Sequence, residues 1–383
     1  MTPRTRNIVI GVAVVVVIAV AGGVFALSSG GDAKKQAATS TIPTTTIPAT
    51  TTTKAPPIAP LTGLVDPSGE SLTRPAVSVK VENTDQARPQ AGIDQADVLY
   101  EEVVEGNITR FVAIFNSQIP AVIGPVRSVR AEDPDIVWPI GGIFAYSGGA
   151  QVNVNAINAA PVHAIDESAA QANGAMQRNA QGQPPRDAPH NLYAIGPKLL
   201  ELGADPKPPP ALFQYLPADA PPLTGTGVVS MRIGFIQGYD PTYTWDAGSK
   251  TWKRSQSGVP FSVVGGVQIA PTNVVVQFTQ YANEGEGQTV GQGDVWVFSD
   301  GVVRKGTWVR PDRTKPAKYV DANGQPILLR PGARGWSSSR RMRRSTSWKA
   351  RRSRPCRSPR HRRPPRRRNP RRSSPEEVST GSR

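Results

Sequence analysis

The sequence contains almost no cysteine, since Cys356 is the single one among 383 residues. A disulfide framework or a thiolate metal site needs several cysteines, so neither is expected. The sequence also lacks a phosphate-binding loop and the glycine fingerprint of dinucleotide-binding proteins. It has only three histidines, and no acidic spacing matches a metal-binding motif. We therefore expect no cofactor and no metal site.

Most of the chain has no excess of positive charge, although the formal net charge of the whole chain is +16. Residues 340–383 hold 17 arginines and one lysine against Glu376 and Glu377, which accounts for the whole excess. The first 339 residues carry 27 basic and 27 acidic side chains. A neutral globular part has no electrostatic reason to attract polyanions. We therefore expect no nucleic-acid partner.

One long apolar run stands near the N-terminus, where Ile8–Leu27 contains 20 residues and no charge. As a helix this run would be about 30 Å long, the thickness of the hydrocarbon layer of a bilayer. Arg4 and Arg6 precede it, so the positive-inside rule places the N-terminus in the cytoplasm and exports the rest. The sequence thus predicts a single-pass protein of the cell membrane with an extracytoplasmic globular part. The alternative is a cleaved signal peptide, because Val24-Phe25-Ala26 resembles a cleavage site.

The composition divides the chain into six segments. Residues 28–60 are rich in Thr and Pro and cannot bury a core, so they are predicted to be a disordered spacer. The other predicted segments are a membrane helix at 1–27, an N-terminal domain at 61–205, a Pro-rich connector at 206–226, a C-terminal β domain at 227–336 and a disordered Arg-rich tail at 337–383.

The predicted N-terminal domain mixes strands with short helices. Residues 77–82 alternate Val with Ser, Lys and Glu, which is typical of a half-buried strand. The apolar run Ile108–Phe115 predicts a central strand, and Ile143–Tyr146 a shorter one. One helix is predicted between Val154 and Ala175, and a second at Lys198–Leu202 before Gly203.

The predicted C-terminal domain consists of short strands with explicit turn signals. Asp246–Ser249, Ser299–Gly301 and Asp321–Gly324 each separate two β-rich runs, which predicts three hairpins. The expected fold class is therefore α+β and β-rich, with a mixed α/β domain followed by an antiparallel all-β domain. The four tryptophans here are interpreted as packing residues or, alternatively, as a platform for sugars: Trp245, Trp252, Trp296 and Trp308.

A series of short motifs resembles a known family. They include Arg74-Pro75-Ala76, Val79-Lys80-Val81-Glu82-Asn83, Arg88-Pro89-Gln90-Ala91-Gly92, Ala96-Asp97-Val98-Leu99-Tyr100-Glu101-Glu102, Gly124-Pro125-Val126-Arg127-Ser128, Phe144-Ala145-Tyr146-Ser147-Gly148-Gly149 and Arg186-Asp187-Ala188-Pro189-His190-Asn191-Leu192-Tyr193. Over residues 60–336 the chain resembles the YerB-like lipoproteins, known as domain of unknown function 3048. The resemblance implies an exported, membrane-attached, two-domain protein and no known activity. The lipobox cysteine of many members is absent here.

The basic tail has two interpretations. Arg-rich segments neutralise phosphates, which indicates a nucleic-acid-binding arm. The resemblance favours a frameshift instead, because family members continue from the position of Trp336 as Trp-Val-Glu-Leu. Loss of one G from GC-rich codons for that stretch gives Trp-Ser-Ser-Ser, which is the reading of Trp336–Ser339.

The densest charged cluster of the N-terminal domain is formed by Glu101, Glu102, Glu105 and Arg110. Paired carboxylates can perform acid–base chemistry or bind a hard cation. The alternative is a structural role, in which strand charges pair with Arg110. Glu101, Glu102 and Arg110 are therefore candidate ligand-binding residues.

Further candidates lie in glycine- and proline-rich motifs. Ser147 precedes Gly148-Gly149, and His190 lies between Pro189 and Asn191. Ser147, His190 and a carboxylate would compose a hydrolytic triad only by folding together. Arg127, Arg130 and Arg186 with His190 could instead form a pocket for an anionic ligand. Arg127, Ser147, His190 and Asn191 thus complete the candidate set. Of this set, Arg110, Arg127, Ser147 and His190 are predicted to converge at one site with either Glu101 or Glu102.

Three functions remain open at this point. The first is a non-catalytic binding or scaffold module of the cell envelope, with an anionic or cell-wall ligand. The second is a hydrolase that acts on cell-wall or glycan material. The third is nucleic-acid binding, which depends only on the basic tail.

Overall fold

The computed structural model describes residues 56–203, 205, 207–235, 239–281, 286–340 and 347–350. The chain divides into two compact units, residues 1–54 and 55–383, and all described residues belong to the second. The predicted membrane helix at Ile8–Leu27 and most of the predicted spacer lie outside the described residues. Within the described part of the chain, every helix is too short or too polar to cross a bilayer.

The first half of the described chain contains eight strands, four α-helices and four single 3-10 turns. The strands are β1 (Val77–Glu82), β2 (Val98–Val104), β3 (Ile108–Phe115), β4 (Val122–Ile123), β5 (Ile143–Ala145), β6 (His163–Ile165), β7 (Met176–Arg178) and β8 (Leu192–Ile195). The α-helices are α1 (Asp133–Val137), α2 (Gln151–Asn158), α3 (Glu167–Ala172) and α4 (Gly196–Glu201). The 3-10 turns are Glu70–Leu72, Asp85–Ala87, Ile93–Gln95 and Glu105–Asn107.

The second half is built from strands. They are β9 (Thr226–Arg232), β10 (Pro241–Asp246), β11 (Thr251–Gln256), β12 (Val259–Pro260), β13 (Asn273–Thr279), β14 (Gly291–Ser299), β15 (Val302–Arg310), β16 (Lys318–Val320), β17 (Arg334–Arg340) and β18 (Ser347–Ala350). This distribution of helices and strands confirms the predicted fold class.

A single sheet runs through both halves. Its strand order is β12-β11-β10-β9-β15-β14-β13-β17-β2-β3-β1-β5-β6, with β16 beside β15 and β18 beside β9. A small second sheet has the order β4-β8-β7. In the large sheet β1 and β2 both lie antiparallel to β3, whereas β5 and β6 continue from β1 in parallel.

Strand β17 joins the two halves of the sheet. It lies between β13 and β2 and is parallel to both. The strands of the second half are therefore paired antiparallel except for β13 with β17. Residues 337–340 extend β17, and β18 pairs with β9. The prediction of a disordered tail is therefore wrong for these two stretches. Their backbone N–H and C=O groups form hydrogen bonds with neighbouring strands. The remainder of the tail lies outside the described residues.

Strand β1 is buried on both faces, which corrects the prediction of a half-buried strand. Val77, Val79 and Val81 pack in one core, while Ser78, Lys80 and Glu82 point to the other face and are also buried. The alternating pattern identified the two faces but not their environment. Charged side chains are tolerated inside only where ion pairs and hydrogen bonds compensate them, and such partners are present here.

The helical region between Val154 and Ala175 also differs from its prediction. Two helices, α2 and α3, replace the single one, and β6 separates them. Helix α3 begins after Asp166, whose carboxylate accepts a hydrogen bond from the backbone N–H of Ala169 (2.9 Å). The second predicted helix is present as α4, and Gly203 follows it with a φ of 80°.

Two of the three predicted turns in the second half connect strands as expected, whereas the third, at Asp321–Gly324, is followed by no strand at the described residues 327–329. Asp246–Ser249 connects β10 to β11, and Ser299–Gly301 covers the turn between β14 and β15. At the third turn, the backbone N–H of Ile327 donates to Tyr319. All four tryptophans pack against neighbours. Trp252 and Trp308 are buried, Trp245 contacts Trp252 at 5.0 Å between ring centroids, and Trp296 contacts Phe278 at 4.8 Å.

Candidate functional site

Glu82, at the end of β1, is the centre of the most elaborate polar arrangement. Its side chain is fully buried. Its carboxylate contacts His190 Nδ1 at 2.9 and 3.0 Å and accepts a hydrogen bond from Thr84 Oγ1 at 2.6 Å. Because an ionised carboxylate can only accept, this contact assigns the proton to Nδ1 of His190. The same arrangement leaves Nε2 of His190 without a partner among the described residues.

Arg127 lies on the other side of the same carboxylate. Its Nε is 3.2 Å from Glu82 Oε2, which is an ion-pair distance, but the angle is unsuitable for a hydrogen bond. Its guanidinium donates no hydrogen bond to any residue that the structure describes. The side chain is 19% exposed and that of His190 is 22% exposed. Arg127 and His190 therefore both contact a buried carboxylate, and each keeps at least one nitrogen without a partner among the described residues.

Ser147 belongs to a second polar chain. Its hydroxyl donates to Glu167 Oε2 at 2.6 Å, and Glu167 forms an ion pair with Arg178. Arg178 also donates to Asn191 Oδ1 at 2.9 Å. Ser147 therefore has a carboxylate partner, but its hydroxyl does not contact His190. The structure does not assemble a Ser147–His190–carboxylate triad.

The two polar chains are joined at both ends. The backbone N–H of Ser147 donates to the carbonyl of Arg127 at 2.9 Å. At the other end, Asn191 follows His190 in the chain. Together these residues form a continuous ring of contacts. We call this set the Glu82 cluster: Glu82, Arg127, Ser147, Glu167, Arg178, His190 and Asn191.

Arg110 in β3 lies in register between the two acidic strands. Its Cα is paired with that of Glu82 on β1 and with that of Glu102 on β2. The side chain is 5% exposed, its Nη1 donates to the carbonyl of Ser128 at 3.0 Å, and its Nε has no partner. Burial, together with the nearby charges of Arg130 and Arg127, lowers its pKa to about 10. Three arginines therefore lie close to one another beside the Glu82 cluster.

Glu102 is held by a buried lysine. Lys80 forms ion pairs with Glu102 and with Asp133, the latter at 2.6 Å, and all three side chains are at most 2% exposed. Asp133 also accepts from the backbone N–H of Arg130 at 2.6 Å. Burial raises the pKa of Asp133 to about 7, although Lys80 opposes that change. Asp133 and Lys80 therefore belong to one coupled group with Glu102.

Glu101 points to the opposite face of β2. It accepts from Arg254 Nη2 at 3.0 and 3.1 Å and from Thr109 Oγ1 at 3.0 Å. Arg254 also stacks on the ring of Phe261, with 3.8 Å from Cζ to the centroid. Burial raises the pKa of Glu101 despite the charge of Arg254. Glu101 thus connects the two halves of the chain and does not join the other candidates.

The predicted residues fall into three groups. Arg127, Ser147, His190 and Asn191 lie in the Glu82 cluster. Arg110 and Glu102 lie in the same strand row as Glu82, and Glu101 is on the other face. The sequence did not single out Lys80, Glu82, Glu167 or Arg178, although these residues supply most of the partners. The signal available for the first two was their charge within an alternating apolar strand.

The donor types present do not indicate a metal centre. No group of three His, Cys, Asp or Glu side chains within the described ranges is arranged to hold a metal ion. The predicted absence of a metal and of a cofactor stays a prediction. The groups in the Glu82 cluster that could contact a ligand are the imidazole of His190 and the guanidinium groups of Arg127 and Arg178.

Two matches define the family. Residues 61–207 match the N-terminal domain, and residues 231–334 the C-terminal domain, of the group described as "Protein of unknown function (DUF3048)". All candidate residues lie in the first stretch. Arg254, the partner of Glu101, lies in the second.

A curated relative and a solved structure agree with this match. The protein named "Putative lipoprotein YerB" of Bacillus subtilis (strain 168) is 33% identical over 213 residues, which is 52% of this chain and 60% of that relative's length. The crystal structure of the YerB protein from Bacillus subtilis superposes with a TM-score of 0.62 at 23% identity, covering 73% of this chain and 96% of that one. The superposition establishes a shared fold.

Proposed function

Because the chain belongs to the DUF3048 family, whose two domains it carries in order, we propose that it is an envelope protein that binds an anionic ligand at the Glu82 cluster. In this proposal Ile8–Leu27 tethers the chain to the membrane and the globular part lies outside the cell. The lipoprotein name of the YerB relative supports the membrane attachment. The missing lipobox cysteine is the reason for assigning the attachment to the apolar segment.

The observation that carries the proposal is the pair of uncommitted donors around one buried carboxylate. Taking a carboxylate out of water costs several kcal/mol unless partners compensate it. Glu82 accepts from Nδ1 of His190 and lies 3.2 Å from Nε of Arg127. Among the described residues, the guanidinium of Arg127 and Nε2 of His190 have no hydrogen-bond partner, and both side chains are partly exposed. Nε2 donates to an anion when the ring carries two protons. Arg110 adds a positive charge nearby, whereas Arg130 is paired with Glu105. Guanidinium and imidazole donors suit carboxylate or phosphate groups.

A titration of the full-length protein in detergent micelles tests the proposal. The probe is a soluble poly(glycerol phosphate), and neutral dextran serves as the uncharged control. Arg127→Gln and His190→Gln should each weaken binding at least about tenfold, which is about 1.4 kcal/mol, when measured well below the melting temperature of each variant, because both changes remove a partner of the buried Glu82 carboxylate. Arg232→Gln is the matched control. That arginine is exposed, is paired with Asp240, and belongs to the second half of the chain, outside the Glu82 cluster. Equal binding by all variants would remove the proposed site.

A hydrolase is the second candidate, and one contact favours it. A buried carboxylate that orients Nδ1 leaves Nε2 of His190 positioned as a general base for water. Ser147 would have no nucleophilic role, since its hydroxyl is bound to Glu167. Release of reducing ends or free amines from purified cell-wall material, lost in His190→Gln, would support this function. Absence of release at high protein concentration would eliminate it.

A further inference from the structure

A small pocket lies where the two halves of the chain meet, and it is separate from the Glu82 cluster. Its polar lining comes from both halves: Tyr100, Glu102, Glu132, Gln277, Thr289 and Arg310. The centre of a water-sized group can lie within a volume of about 20 Å³ in this pocket. A cavity of this size has room for one group as large as a water molecule.

Two oxygen atoms that line this pocket accept no hydrogen bond from an amide, hydroxyl or cationic group of the described residues. They are Oε2 of Glu102 and Oε1 of Gln277, and both residues are 1% exposed. A buried acceptor without a donor destabilises the folded protein, and more strongly when it is charged. The other carboxylate oxygen of Glu102 is already bound to Lys80. The free oxygen is therefore the one that faces the pocket.

Glu132 supplies a third acceptor. It is 2% exposed, and its Oε1 accepts from the backbone N–H of Gly287. A side chain at position 287 would collide with this carboxylate, so glycine permits the approach. Glu132 also lies within hydrogen-bonding reach of Glu102. Two carboxylates in contact inside a protein require a proton or a cation between them.

Three acidic and two basic side chains lie at or next to the pocket. Glu102, Glu132 and Asp133 are acidic, while Lys80 and Arg310 are basic. The guanidinium of Arg310 donates hydrogen bonds to Thr289 Oγ1 and to backbone carbonyl groups. It forms no ion pair with a described carboxylate. The raised pKa of Glu132 means that a proton on this carboxyl already makes the set neutral, so a bound monovalent cation takes the place of that proton.

The walls of the pocket select among cations. Ile136, Pro139, Leu212, Pro316 and Ala317 form an apolar lining above the acceptors. A hydrated metal ion gains nothing from such walls, whereas the methylene stem of an alkylamine does. An ammonium group has three N–H donors, and the pocket presents three acceptors.

We propose that this pocket binds a primary alkylammonium group, with its three donors directed at Glu102 Oε2, Gln277 Oε1 and the Glu132 carboxylate. The methylene stem lies along the wall formed by Ile136, Leu212 and Ala317. The source of the group is either a free amine or the side chain of a lysine-like residue in a peptide. The inference does not depend on anion binding at the Glu82 cluster.

Calorimetry on the full-length protein in micelles tests this inference. The probes are n-pentylammonium and its neutral counterpart 1-pentanol, and the ammonium ion should bind at least tenfold more tightly. Glu132→Gln should weaken pentylammonium binding at least tenfold, whereas Glu201→Gln, in an exposed pair with Lys198, should not. Ala317→Leu should also weaken binding, since it fills the wall and leaves every acceptor in place.

The source of the amine is distinguished by a second titration. A short peptide with an internal lysine, compared with the same peptide containing norleucine, should bind if a lysine-like side chain is the ligand. Binding of pentylammonium without the peptide would assign a free amine. Equal binding of pentanol and pentylammonium, or full binding by both Glu132→Gln and Ala317→Leu, would overturn the proposal. The Ala317→Leu result decides if Glu132→Gln does not fold.

Discussion

Glu82 and His190 are 108 residues apart in the chain, yet Nδ1 of His190 contacts both carboxylate oxygens of Glu82, at 2.9 and 3.0 Å. The first residue ends a buried strand and the second precedes β8 in the small sheet. The contact therefore joins the large sheet to the small one. It also fixes the orientation of an imidazole whose other nitrogen remains available, which is a general use of a carboxylate beside histidine.

Lys80 should be essential for stability. Lys80→Met leaves Glu102 and Asp133 buried without their cation, and breaking a buried ion pair from one side costs about 3–5 kcal/mol. Urea denaturation should show this loss in the free energy of unfolding. The matched control is Lys198→Met, whose exposed partner is Glu201, with an expected loss below about 1 kcal/mol. Similar losses in the two variants would contradict the compensating role of Lys80.

Stability should fall as pH rises from about 4 to about 7. Burial raises the pKa values of Glu101, Glu132 and Asp133, the last to about 7, so the folded state holds protons that the unfolded state has released. The free energy of unfolding then decreases by up to about 1.4 kcal/mol per pH unit for each such group. Carboxylates with lowered pKa, such as Asp66, act in the opposite direction, but only below about pH 4.

The test is the melting temperature as a function of pH. The groups that face Asp133 are Lys80, Glu102 and the backbone N–H of Arg130, and Asp133→Asn keeps the shape while removing the titration. Its pH dependence should be shallower than that of the natural chain. A natural chain that becomes more stable between pH 4 and pH 7 would be inconsistent with the raised pKa values. Proton release on unfolding, measured by potentiometry, checks the sign independently.

Ser147 should contribute to positioning rather than to chemistry. Ser147→Ala removes the hydrogen bond to Glu167, which retains Arg178, so the expected loss of stability is about 1 kcal/mol. Binding of poly(glycerol phosphate) should change less than threefold. Complete loss of a hydrolytic activity in Ser147→Ala would instead mean that the hydroxyl is a nucleophile and that the observed hydrogen bond is replaced during reaction.

The C-terminal reading frame can be tested through β17. Register pairs Ser337 with Val276 on one side and with Glu101 on the other, so this strand is central in the sheet. Central parallel strands normally read as continuous apolar runs, whereas this one reads Trp-Ser-Ser-Ser. A gene with one restored base, which encodes Trp-Val-Glu-Leu, should melt several degrees higher. Resequencing that finds an intact frame through Ser337, or a lower melting temperature of the restored chain, would refute the frameshift.

The sequence predicted the strands well because alternation and turn residues are local signals. The hairpin turns at Asp246–Ser249 and Ser299–Gly301 required only neighbouring residues. The central position of β17 could not be predicted in this way, because it depends on pairing with strands far apart in the chain. The same limitation explains the error at β1, where the partners that permit burial of Lys80 come from residues 102 and 133.

The candidate site was predicted in part. Motif residues with polar groups beside glycine or proline pointed to Arg127, Ser147 and His190, which do meet in one cluster. The central residue, Glu82, looked like an exposed strand charge, because its partner His190 is 108 residues distant. Glu101 and Glu102 were treated as a pair, but adjacent residues of a strand face opposite sides of the sheet. Charge alone does not show which face a residue occupies.

The most direct test of the proposed function is a double-mutant cycle on ligand binding. Affinity for poly(glycerol phosphate) is measured for the natural chain, Arg127→Gln, His190→Gln and the double variant, in full-length protein with matched melting temperatures. If both side chains contact one anion, each single change should weaken binding at least about tenfold, and the double variant should deviate from additivity by about 0.5 kcal/mol or more. Unchanged affinity in both single variants would contradict anion binding at the Glu82 cluster.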